Sequence, residues 1–511
     1  MKNNLILKIS LLIIIFCVSF LLRLKFVNVP LDRDSCAFLL GGYRFLHDGR
    51  MYVNFFDNKP PGIFLLLSIF IKLFSVIDLF KFNIFISLYY SLNTAIIFIL
   101  TYKLLGLRTS IISSILFGIF SSLPVVEGRT FSTETCTITF VMIGIYIYFA
   151  LKDKFPVLTF VLSGFFVGLG FTFKQSALFD ASGFIIYFLI DSLLKNKKIK
   201  KFLIQSLLFA TGFILPSLVW IGYFSYKGCL EEWWYYVFLF NFKYVKTMGY
   251  VSAYWKNFYL RNLEFIKDTL ILWLGVIYFL YEVAQRKTKC SNFLIFILIW
   301  MSTSFVSVCF SGRFFPHYYM SILPSLSIIC GFSIEKISFS NNNLRKIILL
   351  SLGGIAFFFT TFYKFCPYYF LYTPKQKLEF EYGWEPFWES YIVGVYLRKH
   401  TPPQQSIFVW AEEPEIFFYA QRDSCCKYYS SNPFVYFFKA MKENPLQELM
   451  EGLTLKKPYF FVIDSRFLPI LKRFSTLVEF LKHNYYFHKK IDVCRKNRCA
   501  FSLIILKRVS S

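Results

Sequence analysis

A polytopic α-helical membrane protein with a small α/β tail outside the membrane is the fold class that this 511-residue sequence predicts. Three observations predict it. The composition is 56% hydrophobic and only 17% charged, which excludes both a disordered chain and an ordinary soluble enzyme. Apolar runs of membrane-spanning length recur from Leu5 to about Tyr363 and then stop. Beyond that point, short apolar runs of strand length alternate with helical patterns. The organisation expected is a transmembrane domain over residues 1–363 and an extracytoplasmic α/β domain over residues 364–511.

A span needs about 20 mostly apolar residues. Runs of that kind lie near 5–27, 61–78, 82–102, 109–124, 133–151, 155–173, 176–194, 202–226, 269–284, 292–310, 317–334 and 346–363. The first has a lysine flank like a signal peptide, but no small-residue cleavage signature follows it, so it reads as a span. The formal charge of +26 is explained by orientation, because Lys and Arg accumulate in cytoplasmic loops. The basic loops 195–201 and 286–289, and Lys336 with Arg345 and Lys346, therefore go inside. This puts 227–268, 311–316 and the tail outside. The same alternation conflicts with a crossing at 61–78, so 11 to 13 spans are expected. No nucleic-acid partner is implied.

The tail is expected to hold strands at 406–410, 459–464, 486–493 and 500–506, with helices from Pro414 to Tyr419 and from Phe474 to Tyr485. The aromatic stretch Glu231–Trp255 reads as a juxtamembrane helix at the headgroup level, with the shaping of a lipid-substrate entrance as the alternative. The 12 cysteines show no zinc-site spacing. An oxidising outer compartment favours a disulfide between Cys425 or Cys426 and the Cys494/Cys499 hairpin.

Ionisable side chains near the bilayer are costly, and they collect here in three clusters on one expected face. The first is Asp32-Arg33-Asp34 with Asp57-Asn58-Lys59-Pro60-Pro61-Gly62; the second is Glu127-Gly128-Arg129 with Glu134; the third runs from Gly312-Arg313 to His317-Tyr318. A carboxylate beside cations stays ionised and accepts a proton from a hydroxyl, while Lys and Arg hold phosphate. Lys59 and Arg313 precede prolines that start helices, positions that favour anions. Lys174, between two spans, is a further substrate contact or lid. A membrane-borne anionic substrate suits this set.

The order of these motifs, an acidic first loop, Asp-x-Lys-Pro-Pro-Gly, Thr133-Glu134 opening a later span, and Arg-x-x-Pro-His-Tyr before a late one, resembles the GT-C glycosyltransferases. The branch it resembles is that of the dolichyl-phosphate-mannose mannosyltransferases and their bacterial relatives, including the aminoarabinose and galacturonic acid transferases of lipid A. Ile407-Phe-Val-Trp410, Pro414-Glu-Ile-Phe417 and Lys457-Pro-Tyr-Phe460 look like the outer domain of the bacterial members.

The resemblance implies transfer of one sugar from a polyprenyl-phosphate donor to a lipid, glycan or protein acceptor at the outer face of the cell membrane, among membrane lipids. It implies Asp34 as catalytic base and Lys59 as the donor-phosphate ligand. Asp32, Asp57, Arg129, Glu134, Lys174, Arg313 and His317 are the other substrate-binding residues expected. Ser35 follows Asp34 where many relatives carry Glu, and Asn58 stands where metal-binding relatives carry an acid, so no cofactor or metal is assigned. The alternative class is a transporter or flippase. It predicts internal repeats and charges at mid-membrane rather than at one face.

Overall fold

A computed structural model describes residues 2–74, 78–194, 199–247, 250–286, 291–340, 343–495 and 498–509. The basic segments 195–198 and 287–289, central to the orientation argument, lie outside the described residues. The chain divides into two compact units.

The first unit takes in Met1–Asn28, Phe80–Ile221 and Tyr250–Tyr372. It is a bundle of apolar helices. Among the described residues of the whole chain, seven helices are long and apolar enough to cross a membrane: Ile6–Phe26, Leu79–Leu105, Thr133–Leu151, Ala177–Leu194, Ile199–Tyr226, Asn292–Phe310 and Asn343–Phe370. Four shorter apolar helices are Gly62–Phe74, Leu107–Phe120, Pro156–Phe171 and Leu270–Ala284. The span expected at 317–334 is displaced. Residues Pro316–Ser321 form a 3₁₀ turn, and the α-helix runs from Leu323 to Ser338. Pro324 lies in the first turn of that helix, where its missing N–H costs no intrahelical hydrogen bond.

Hydroxyl and amide groups on these helices satisfy one another inside the bundle, as an apolar surround requires. Thr139 Oγ1 donates to Asn93 Oδ1 at 2.7 Å, and Trp300 Nε1 donates to Asp180 Oδ1 at 2.7 Å. The amphipathic helix Tyr250–Asp268, of which the part up to Trp255 was expected in a juxtamembrane helix and the rest as outer loop, also belongs to this unit.

The second unit takes in Val29–Leu79, Gly222–Gly249 and Thr373–Ser511. Its sheet has strands β1 (Ile407–Trp410), β2 (Phe460–Asp464), β3 (Tyr485–Arg495) and β4 (Arg498–Arg508), in the order β1-β2-β4-β3. β1 and β2 are parallel and wholly buried, which is why both read as unbroken apolar runs. β4 pairs antiparallel with both β2 and β3. The helices Arg33–His47 and Gly62–Phe74 pack together where Gly41 and Gly42 admit close approach; a Cβ on Gly42 would lie 2.8 Å from that of Leu67. Gly62–Phe74 thus associates with this unit.

The cysteine pairing differs from expectation. The disulfide joins Cys494 to Cys499 within the β3–β4 hairpin, where the strand register sets the two residues opposite each other. Cys425 and Cys426 are buried thiols.

Candidate functional site

The expected site residues fall into two groups, one in each unit. In the second unit, the helix Arg33–His47 starts on an aspartate cap. Asp32 Oδ2 accepts from the backbone N–H of Asp34 at 3.1 Å and of Ser35 at 3.2 Å. Asp34 is therefore in the first helical turn and is not the cap. Its carboxylate is half-buried and makes no hydrogen bond or ion pair among the described residues.

The Asp57–Gly62 segment is stapled from two sides. Asp57 Oδ1 accepts from the Lys59 N–H at 2.9 Å, a local turn that these residue types favour. Asn58 exchanges hydrogen bonds with Asn241, donating to its side-chain oxygen at 2.8 Å and accepting at its own carbonyl at 3.2 Å. Tyr52 donates to the Lys59 carbonyl at 2.8 Å. Burial pushes the Asp57 carboxyl up to about 6; the Lys59 charge and two backbone N–H groups oppose this, and the nearby Asp34 carboxylate adds to it. The two carboxyls are thus within electrostatic reach of each other.

In the first unit, Ser132 caps the helix Thr133–Leu151, leaving Glu134 in its first turn. Glu134 Oε1 pairs with Lys174 Nζ, and its Oε2 accepts from Thr133 Oγ1 at 2.9 Å. His317 lies between two carboxylates, with Nδ1 2.5 Å from Glu127 Oε2 and Nε2 3.8 Å from Glu134 Oε1. Lys174 Nζ sits 3.8 Å from the centre of the Tyr318 ring. The His317 ring stacks on Phe315 at 5.7 Å, and the Arg313 guanidinium lies 5.7 Å over that same phenyl ring.

Backbone geometry sets the Glu127 side chain. Glu127 adopts φ 48°, and Gly128 follows where a Cβ would meet Ser121 O at 2.3 Å. Arg129 is next, and is buried. Glu134, Lys174, Arg313 and His317 are thus linked in one chain of contacts. Glu127 and Tyr318 complete it, and the Glu127-Gly128-Arg129 and Pro316-His317-Tyr318 motifs carried the signal for both.

A third assembly was not anticipated as a site. Arg33 donates to Glu385 Oε2 at 2.8 Å and to Glu413 Oε1 at 3.4 Å. Arg466 holds the same Glu413 oxygen at 3.1 Å and Asp464 Oδ2 at 2.6 Å. Glu413 and Glu415 are fully buried, and burial pushes both carboxyls up. The cluster lies just beyond the C-terminal ends of β1 and β2. Its signal was the acidic run Glu412-Glu413-Pro414-Glu415 directly after a strand. No group of three or more His, Cys, Asp or Glu able to hold a metal occurs among the described residues.

Residues 58–220 match the family model described as dolichyl-phosphate-mannose-protein mannosyltransferase. No curated protein matches the chain by sequence. Among solved structures, the Archaeoglobus fulgidus oligosaccharyltransferase tethered to an acceptor peptide is similar, with a TM-score of 0.55 and 11% identity over 98% of this chain and 76% of that one. ArnT from Cupriavidus metallidurans bound to undecaprenyl phosphate is similar with a TM-score of 0.53 and 12% identity, covering 99% of this chain and 98% of that one. AglB from A. fulgidus, in complex with an inhibitory peptide and a dolichol-phosphate, matches with a TM-score of 0.52, 12% identity and coverage of 99% and 76%. At these identities the structural likeness speaks for the fold, GT-C, throughout the chain. The family model that matches residues 58–220 describes a glycosyltransferase.

Proposed function

We propose that this glycosyltransferase moves one monosaccharide from a polyprenyl-phosphate donor to an acceptor on lipid A, a glycan or a protein, at the outer face of the cell membrane, with Asp34 as its base. The observation that carries the reading is the uncommitted carboxylate of Asp34: Asp32 takes the capping role, and among the described residues Asp34 has no structural partner that explains it. The acceptor hydroxyl gives its proton to Asp34, and its oxygen forms the new bond to the anomeric carbon. The bond from that carbon to the lipid phosphate breaks, and the phosphate leaves with the electron pair. Lys59 meets the charge that develops on it; preorganised charge of this kind is worth several kcal/mol away from water. Asp57 keeps Lys59 in place through their shared turn. Within the first unit, Arg129, Glu134, Lys174, Arg313 and His317 are the substrate-binding residues of this proposal. A polyprenyl-phosphate donor fits the lipid named with the ArnT structure and the donor named by the family model.

Helix count is consistent with the outer-face assignment. With Gly62–Phe74 taken as non-crossing, the seven long helices, the three other short apolar ones and Leu323–Ser338 give eleven crossings. An odd count with Met1 inside reconciles the first loop, the Lys103–Arg108 loop and the tail with one alternation. On this reading the transmembrane domain, residues 1–363, carries the chemistry, and the tail, residues 364–511, is extracytoplasmic. Membranes containing the protein, incubated with polyprenyl-phosphate sugars, should yield a one-sugar mass increment in the lipid A, glycan or protein fraction. A C-terminal reporter active in the cytoplasm would overturn the sidedness, and the absence of any increment across the donor set would overturn the transfer.

A further inference from the structure

A cavity of about 610 Å³ opens at the end of the first unit's helices opposite to Glu134 and Lys174. It lies among the C-terminal ends of Thr133–Leu151 and Ala177–Leu194 and the N-terminal ends of Pro156–Phe171 and Ile199–Tyr226. Glu134 and Tyr148, fourteen residues apart on one helix, put about 21 Å between the two places. The volume is within the roughly 300–1,000 Å³ usual for small-molecule sites.

The cavity has a packing cause that the sequence carries. Gly164 and Gly168 form a small-xxx-small stripe on Pro156–Phe171, facing Gly212 of Ile199–Tyr226. A Cβ on Gly164 would lie 2.0 Å from Phe209 O, one on Gly168 2.2 Å from Phe213 O, and one on Gly212 1.9 Å from Val161 O. The two backbones touch at this point. Toward Pro156 and Lys200 the cavity occupies the space between the helices.

Its lining divides by chemistry. Lys152, Lys200 and Lys201 are at the rim with Asp153 and Asp191, a formal charge of +1. Two helix N-termini point to the same rim and add partial positive charge. The wall is apolar, built by Val157, Phe160, Ile204 and Leu208. Val157 is 61% and Ile204 48% exposed, so the wall continues onto the bundle's outer surface.

We propose that this wedge binds one glycerophospholipid with a monoanionic phosphodiester headgroup: the phosphate at the lysine rim and an acyl chain along the apolar wall. One phosphodiester neutralises the rim. The site is separate from the sugar-transfer residues and stands whether or not those are correctly assigned.

Native mass spectrometry of the full chain in detergent tests it with phosphatidylglycerol, phosphatidylcholine, glycerol 3-phosphate and inorganic phosphate as probes. One phosphatidylglycerol should be retained at least about tenfold over phosphatidylcholine, and neither free phosphate should displace it. Each lysine replaced should weaken retention about fivefold, the usual worth of one cation near an anionic lipid. Lys152→Gln, Lys200→Gln and Lys201→Gln together should therefore abolish it, and Lys154→Gln, off the lining, should leave it unchanged. Lys200→Gln alone provides the test if the triple variant fails to fold. Equal retention of both lipids, displacement by inorganic phosphate, or wild-type retention by Lys200→Gln would each overturn the proposal.

Discussion

Asp32 and Asp34 stand two residues apart, and the structure gives them separable consequences. Asp32→Ala removes an acceptor that serves two backbone N–H groups, at 3.1 and 3.2 Å. Loss of such a cap costs about 1 kcal/mol, within a range of roughly 0.5–2. Asp32→Asn keeps the acceptor and should cost a few tenths at most. Asp34→Asn forfeits only the attraction of a carboxylate to a helix N-terminus, about 0.3–1 kcal/mol and screened by its partial exposure. Its effect on transfer is expected to be far larger, a fall of about 10²–10⁴-fold for the loss of general-base help.

The assay pairs thermal unfolding of each purified variant with its rate of sugar transfer from a polyprenyl-phosphate donor. Asp32→Ala should lower the melting temperature and leave residual transfer, and Asp34→Asn should do the reverse. Wild-type transfer by a stable Asp34→Asn protein would refute the base assignment. Equal loss of transfer in Asp32→Asn and Asp34→Asn would refute the separation of roles, because an intact cap would then be insufficient.

Asp57 gives a pH signature. Burial raises its folded pKa to about 6, against about 4 in an unfolded chain, so the folded state holds more protons between those values and stability falls as pH rises through them. Asp57→Asn should melt higher than wild type above pH 6 and lose that advantage below pH 4; a pH-independent difference would contradict the assignment. Lys59→Ala should weaken donor binding and turnover together, because its charge is asked to hold phosphate in both the bound and the reacting state; an unchanged donor affinity would remove Lys59 from the phosphate site. Non-reducing peptide mapping should find Cys494 linked to Cys499, with Cys425 and Cys426 as thiols, and a 425/426-to-494/499 crosslink would contradict the hairpin register.

The membrane helices were legible because length and apolarity are what a bilayer demands. The strands were equally plain, since expected runs at 406–410 and 459–464 match β1 and β2 nearly residue for residue. What hydropathy passed over is amphipathic. Tyr250–Asp268 turns Trp255 outward, 75% exposed, and buries Phe265, so its mean hydropathy is near that of a loop. Arg23 shows the converse. It lies inside the first apolar run, yet it is buried, with Ser121 Oγ at 2.7 Å and Ser19 Oγ at 3.0 Å satisfying it. Only tertiary structure supplies those partners.

The site was legible as residue types and as clusters, but spacing along the chain does not say what each carboxylate is for. Asp32 and Asp34 look alike in sequence; hydrogen-bond geometry separates the cap from the uncommitted group. The same holds for Arg33 between them. It reads as one more cation of a phosphate site, yet its guanidinium is occupied by Glu385 and Glu413 of the tail. Glu413 in turn is held by Arg466, beside Asp464 at the end of β2. The helix that begins at Arg33 is therefore tied to the parallel strands through buried charge, where loss of one partner leaves an uncompensated ion at a cost of about 3–5 kcal/mol. The tail's acidic run thereby fixes the residue next to Asp34.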